Sequence, residues 1–335
     1  MQGIQFIGTQ RSGSNLLRLM LNQLPAISAP HPPHILSTFI PLIEGYGEFE
    51  STQSFNTLVK DVLNWVKANP VAWTNWDMDE SEIISRIHDN SIESLFAAIY
   101  ELKALRDEAS MWCCKSLANV QFVDRIERKN IHPIYIHLVR DGRDVACSFK
   151  NAIVGPKHVY HLAKKWSYEQ RLAHEVGLKY PGRYVLIKYE DLIEHPSQEV
   201  ERICDAVGIA YSPQVMNYYK SKESEITAKS GDMWKNVINP VIADNRYKYR
   251  EGLSQDEIGL FNQVAGSELK QYGYDLESDR GILEIDNGQI QRYNDENDLL
   301  IQGAKNSAST TDKALRKPQE ELLAKIKNRI YSYEL

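Results

Sequence analysis

The 335-residue chain has no apolar run approaching the roughly 18 residues that a membrane-spanning helix needs, so no span is expected. It has four cysteines, Cys113, Cys114, Cys147 and Cys204, and no C-x-x-C pair with further metal ligands around it. That excludes a disulfide framework and a zinc ribbon, and predicts buried, reduced thiols. The opening residues MQGIQFIG carry neither a basic segment nor a long apolar one. No secretory leader is expected, and the chain reads as cytoplasmic. An excess of positive charge is also missing. Lys and Arg number 39 against 45 Asp and Glu, a net charge of −6. General attraction to nucleic acid is excluded, and any phosphate affinity must be built locally. No internal repeat is present.

What is there is an ordinary globular composition, 42% hydrophobic and 25% charged. Residues 4–8 read as a short buried strand. SNLLRLMLNQL then places Leu16, Leu17, Met20, Leu21 and Leu24 on one helical face, with Arg18, Asn22 and Gln23 opposite and Pro25 as the stop. HPPH, 31–34, is a proline-fixed turn. Helical patterns follow near 54–68 and 80–106. MWCCK (111–115), PIYIHLV (133–139) and RYVLIKYED (183–191) read as strands. Helices are expected in the stretch after 139, over 158–178, and in HPSQEVERICDAVG up to Gly208. Strands alternating with helices predict an α/β fold, a parallel sheet flanked by helices. From 276 the chain turns polar. GAKNSASTTDK looks weakly structured, and a last amphipathic helix is expected over 318–331, starting at Pro318 and aligning Leu322, Ile326 and Ile330.

The most informative stretch is GTQRSGSN, 8–15. Gly8 and Gly13 have the spacing of a phosphate-binding loop between a strand and a helix. The lysine that should follow Gly13 is missing. Ser14 and Asn15 stand there, and Arg11 lies inside the loop. The lysine of such a loop reaches β- and γ-phosphates, and its hydroxyl holds magnesium. No apolar strand ends in an obvious magnesium-binding Asp, since HLVRD puts Arg140 before Asp141. Cations and hydroxyls without a metal suit a singly charged sulfuryl group.

With these segments the chain resembles the sulfotransferases that use 3′-phosphoadenosine 5′-phosphosulfate (PAPS), and is most similar to bacterial relatives of the tyrosylprotein sulfotransferases. TQRSGSNLL resembles the 5′-phosphosulfate loop, and HLVRDGRDVACSF the 3′-phosphate segment. IKYEDLIEHP, WKNVINPVIADNRYKYREGLS and LKQYGYD resemble further family segments, so the likeness runs from residue 3 to about 275. It implies a P-loop-like sulfotransferase fold over 1–275, with 36–110 shaping the acceptor pocket and 276–335 as a C-terminal extension. It also implies Arg11, Ser12, Gly13, Ser14, Asn15 and Leu16 around the phosphosulfate, and Arg140 and Ser148 on the 3′-phosphate. Tyr189 would lie near the adenine and Lys248 near the phosphosulfate. Lys115 would contact the bridging oxygen. Independently of the likeness, Arg140 at a strand end and Ser148 two helical turns on can grip one phosphate. Arg143 reads as a solvated helix charge.

The chain departs from the family at the general base. Leu117 stands where cytosolic sulfotransferases carry a histidine, and Pro32 where other branches carry a glutamate. His34 matches a trailing family histidine. His34 and His31 are therefore the candidate bases, with Glu44 as an alternative elsewhere. Met233 and Trp234 occupy the neighbourhood of a family serine. The expected reaction moves a sulfuryl group from PAPS to a hydroxyl on a small molecule, lipid or sugar, with no metal. The C-terminal helix is expected to pack on its own domain or on a partner, which would make a homodimer. A P-loop small-molecule kinase, and a nucleotide-binding protein with weak or no transfer, are the other readings.

Overall fold

The computed structural model describes residues 1–49, 52–77, 79–276 and 285–331. Positions 50–51 and 78 of the 36–110 segment, and 277–284 and 332–335 of the extension, lie outside the described residues. Five strands form one sheet: β1 (Gln2–Gly8), β2 (Ile27–Ser28), β3 (Met111–Cys114), β4 (Ile134–Val139) and β5 (Tyr184–Lys188). Their order is β2-β3-β1-β4-β5, and every pair is parallel. The parallel sheet flanked by helices is as the alternation of elements predicted. The two-residue β2 carries too little pattern to be seen in the sequence.

β1 is buried from Gly3 to Gly8 because strands lie on both sides of it and helices cover both faces. One face packs Ile4 and Phe6 with Leu17, Met20 and Leu21 of the helix Ser14–Leu21 and with Val200 and Ile203 of the helix Pro196–Val207. The other packs Val139 with Phe149, Trp166 and Phe261, from the helices Gly142–Lys150, Val159–Lys179 and Gln255–Gln271. A third cluster is built by residues 35–126 and includes Trp65, Trp73, Tyr100 and Trp112.

Four local readings are corrected. The 80–106 pattern is two helices, Glu80–Ile84 and Ile92–Arg106, each begun by a side-chain cap, Asp79 and Ser91. The strand expected to run to 191 ends at Lys188, and Tyr189 opens the helix Tyr189–Glu194. The stretch GAKNSASTTDK is almost wholly helical, shared between Asn287–Ser307 and Thr310–Tyr331. The last helix begins at Thr310, not at Pro318, which lies inside it. Its Ile326 and Ile330 are buried in the chain's own third cluster, beside the helix Thr52–Lys67. So the apolar face expected to seek its own domain or a partner is covered within the chain.

Candidate active site

The segments that follow all five strands converge on one cavity of about 720 Å³. Arg11 follows β1, His31 follows β2, Lys115 follows β3, Arg140 follows β4 and Tyr189 follows β5, and all five residues line it. The C-terminal edge of a parallel sheet is where open α/β folds place ligands.

The loop after β1 is shaped by backbone geometry. Arg11 has φ +73° and Gly13 has φ +87°. A Cβ on Gly13 would fall 2.2 Å from the ring of Tyr189, so both the dihedral and the space call for glycine. Gly13 also caps the helix Ser14–Leu21, with no side chain bonded to the helix's first amides. Gly13, Ser14, Asn15 and Leu16 line the cavity, so these amides and the positive end of the helix face it. Ser12 does not line the cavity; it is buried, and its hydroxyl donates to Thr9 O at 2.8 Å. Its part is to close the loop.

Several basic side chains gather here. Arg11 Nε donates to Ser148 Oγ at 3.0 Å. Burial, and secondly Arg140, lower the Arg11 guanidinium to about 10, which leaves it charged at neutral pH. Arg140 lies over the Tyr189 ring, 4.4 Å from its centre, and donates to Arg11 O, Asn245 O and Asp144. Its Nε is buried without a partner. The contact with Asp144 coexists with this site and leaves a donor free for an anion. Lys115 is buried at the end of β3 and makes no hydrogen bond or ion pair among the described residues. Burial, then Arg18 and Arg11, push its pKa well down. Its loop is tied to β1 by Gln5, whose amide donates to Cys114 O and Ser116 O, both at 3.1 Å. Lys248 lines the cavity beside Asn245.

The two histidines differ. His34 has φ +59°, and its Nδ1 lies 3.0 Å from Ser116 Oγ, next to Lys115. Burial, then Lys115 and Arg316, lower it to about 3, so its imidazole is neutral at ordinary pH. His31 is buried, and both its ring nitrogens lack a hydrogen-bond partner. Its ring meets Trp234 edge-on, with centres 4.7 Å apart. Burial, then Lys115 and other cations, push its pKa down as well. Glu44, the alternative base, is exposed and lines no part of the cavity.

Residues 36–110 hold the histidine loop more than they line the cavity. Trp73 Nε1 and Asn69 Nδ2 donate to His31 O, and Trp65 Nε1 donates to Pro33 O at 2.6 Å. Within that segment only Asn69 and Pro70, among the described residues, line the cavity. Trp65 and Trp73 are core residues whose polar edges fix a backbone.

Two arginines, Arg18, placed opposite an apolar helix face, and Arg143, read as solvated, are buried. Arg18 is fully buried and donates to Ala29 O, Thr227 Oγ1 and Glu223, the last at 2.8 Å. The sequence sets it beside Asn22 and Gln23 on the polar side of the helix, and its buried partners come from distant segments. Arg143 is also buried, paired with Asp141 at 2.7 Å and set over the Tyr249 ring. The residue that sequence reasoning missed outright is Arg316. It lies on the helix Thr310–Tyr331, beyond the recognised segments, yet lines the cavity with Gln319.

Residues 4–213 match the model of the sulfotransferase family. A Caenorhabditis briggsae protein named for protein-tyrosine sulfotransferase activity is 24% identical over 284 residues, 82% of this chain and 89% of that one. Carbohydrate sulfotransferase 3 of Mus musculus is 28% identical over 171 residues, 44% of this chain and 35% of the relative, so only about a third of that protein is spanned. The sulfotransferase domain of the Synechococcus PCC 7002 olefin synthase superposes with a TM-score of 0.52 at 20% identity, covering 82% of this chain and 94% of that domain. That likeness extends the parallel-sheet sulfotransferase fold over most of the chain. Among the described residues no helix is long and apolar enough to cross a membrane. The match over 4–213, with the loop, Lys115 and Arg140 all inside it, makes this chain a member of the sulfotransferase family.

Proposed function

We propose that the protein transfers a sulfuryl group from PAPS to a hydroxyl acceptor and releases adenosine 3′,5′-bisphosphate. The observation that carries the reading is Lys115, a buried lysine with no partner of its own, facing the same cavity as an uncapped helix N-terminus. A leaving phosphate oxygen gains charge as its bond to sulfur breaks, and a preplaced lysine stabilises that charge.

Arg11 and the amides of Gly13, Ser14, Asn15 and Leu16 are suited to the 5′-phosphosulfate. Arg140, through its free Nε, and Ser148 are suited to the 3′-phosphate, with Tyr189 beside the adenine and Lys248 close by. The acceptor oxygen attacks sulfur in line, the sulfur–oxygen bond to the phosphate breaks, and the hydroxyl proton passes to a histidine. His34 is the base in this reading. With Nδ1–H donating to Ser116 Oγ, its Nε2 keeps a lone pair, and its low pKa keeps it unprotonated before the reaction. His31 is the second candidate. No step calls for a metal ion. The domain is taken as 1–275, with 276–335 an extension that reaches back to the cavity.

Calorimetry in a chelating buffer tests the donor. Adenosine 3′,5′-bisphosphate should bind at micromolar or tighter concentration, and ATP should bind more weakly whether or not magnesium is present. Binding of magnesium–ATP alone would point to the kinase reading and sink this one.

A further inference from the structure

Arg316 stands apart from the other cations. Its Nε and Nη2 are withdrawn from water and have no hydrogen-bond partner. Among the described residues Asp312 and Glu320, its carboxylate neighbours on the helix, form no hydrogen bond or ion pair with it, although their charges partly offset the effect of burial. The guanidinium lies 5.8 Å from the centre of the Trp234 ring, and His31 meets that same ring. It is held in place: three residues on, Gln319 donates to Trp65 O at 3.2 Å, and further along Ile326 and Ile330 are in the core. Arg316 is half-buried, but two guanidinium nitrogens withdrawn from water without acceptors are costly, and one carboxylate or similar planar anion can satisfy both at once.

The donor does not need this cation. Arg11, Lys115 and Arg140 lie at the ends of β1, β3 and β4, close to the loop amides. Arg316 comes instead from the C-terminal helix and sits by Trp234 and the histidine loop. Resting on the proposed sulfuryl transfer, we propose that Arg316 selects acceptors that carry an anionic group beside the hydroxyl to be sulfated. The hydroxyl lies at His34 and His31, and its neighbouring carboxylate, sulfate or phosphate lies on Arg316. The acceptor class is then a hydroxy acid rather than a neutral alcohol. The C-terminal extension, outside the residues that match the family, sets that preference.

The test uses the full chain saturated with adenosine 3′,5′-bisphosphate and matched acid and amide probes. These are 4-hydroxybenzoate and 4-hydroxybenzamide, glucuronate and glucuronamide, and an ω-hydroxydecanoate and its amide. At least one acid should bind roughly tenfold or more tightly than its amide, as a charged hydrogen-bonded pair predicts. Arg316→Gln should erase the preference, Arg316→Lys should restore part of it, and affinity for the bisphosphate should be unchanged in both. Equal binding of acid and amide in every pair, or a preference that survives Arg316→Gln, overturns the assignment. If the bisphosphate itself does not bind, the donor reading fails and this one falls with it. If it binds and no acid is preferred, only this one fails.

Discussion

Arg11 Nε donates to Ser148 Oγ at 3.0 Å, joining two segments 137 residues apart in the chain. The first belongs to the loop after β1 and the second to the helix after β4. Arg140 Nη1 adds a second link by donating to Arg11 O at 3.4 Å. The two segments proposed to bind the donor's anions are therefore one surface beside Tyr189.

If Arg140 and Ser148 read the 3′-phosphate, removing them should cost discrimination rather than all binding. Arg140→Ala should weaken adenosine 3′,5′-bisphosphate by about 10–100-fold while changing adenosine 5′-phosphate far less. Ser148→Ala should act in the same direction and less strongly. Titration calorimetry with both nucleotides checks this, and equal losses for the two would remove the assignment.

Lys115 is expected to act on the reaction more than on binding. Lys115→Ala should lower kcat by about 100-fold or more, in the range seen when a transition-state donor is removed. Its affinity for the bisphosphate should change several-fold at most. Single-turnover rates set beside calorimetry separate the two effects. A variant that keeps near-full turnover would show the lysine to be a bystander.

The histidines give a pH dependence with a definite sign. His34 is lowered to about 3 and His137, held between Tyr184 and Gln170, to about 4, from an ordinary 6.5. His31 is lowered as well. In the unfolded chain these groups take up protons as pH falls below 6.5, and in the folded chain they do not. Stability is therefore present above 6.5 and is lost as pH falls from there toward the folded values. Urea midpoints should drop steadily between about pH 7 and pH 5, and less steeply in His137→Gln. For catalysis, the acid limb of kcat/KM should lie well below that of an ordinary histidine, because the free enzyme's base is already neutral. His34→Gln should abolish that limb together with most of the turnover.

Gly13→Ala tests the loop. The positive φ and the Tyr189 ring both oppose a methyl group there, so the loop must shift and its amides with it. Nucleotide affinity should fall by about tenfold or more, alongside a loss of melting temperature from the strain of the positive φ and the ring contact. Unchanged affinity would mean that the loop does not hold the anion.

Much of this site was legible because strand ends are legible. The apolar runs ending at Gly8, Cys114 and Val139 place Arg11, Lys115 and Arg140 at one sheet edge. The glycine spacing marked the loop. What stayed hidden depended on long-range packing. Ser12 and Ser14 look alike in sequence, yet one closes the loop and the other lines the cavity. Arg143 sits on a helix like a surface charge, and only the fold brings Asp141 and Tyr249 around it. From sequence, residues 36–110 are expected to shape the acceptor pocket. Trp65 and Trp73 are core, and their N–H groups are spent on the carbonyls of Pro33 and His31. Arg316 follows a stretch that looked weakly structured. Nothing local says that its helix turns back across the molecule.

The most direct test of the central claim is transfer of radiolabelled sulfate. Purified protein, labelled PAPS and a panel of hydroxylated acids, in buffer with chelator, should yield labelled ester and an equal amount of adenosine 3′,5′-bisphosphate, with Lys115→Ala slower by about 100-fold or more. Bisphosphate binding without label in any acceptor would contradict the account, and so would transfer that Lys115→Ala leaves intact.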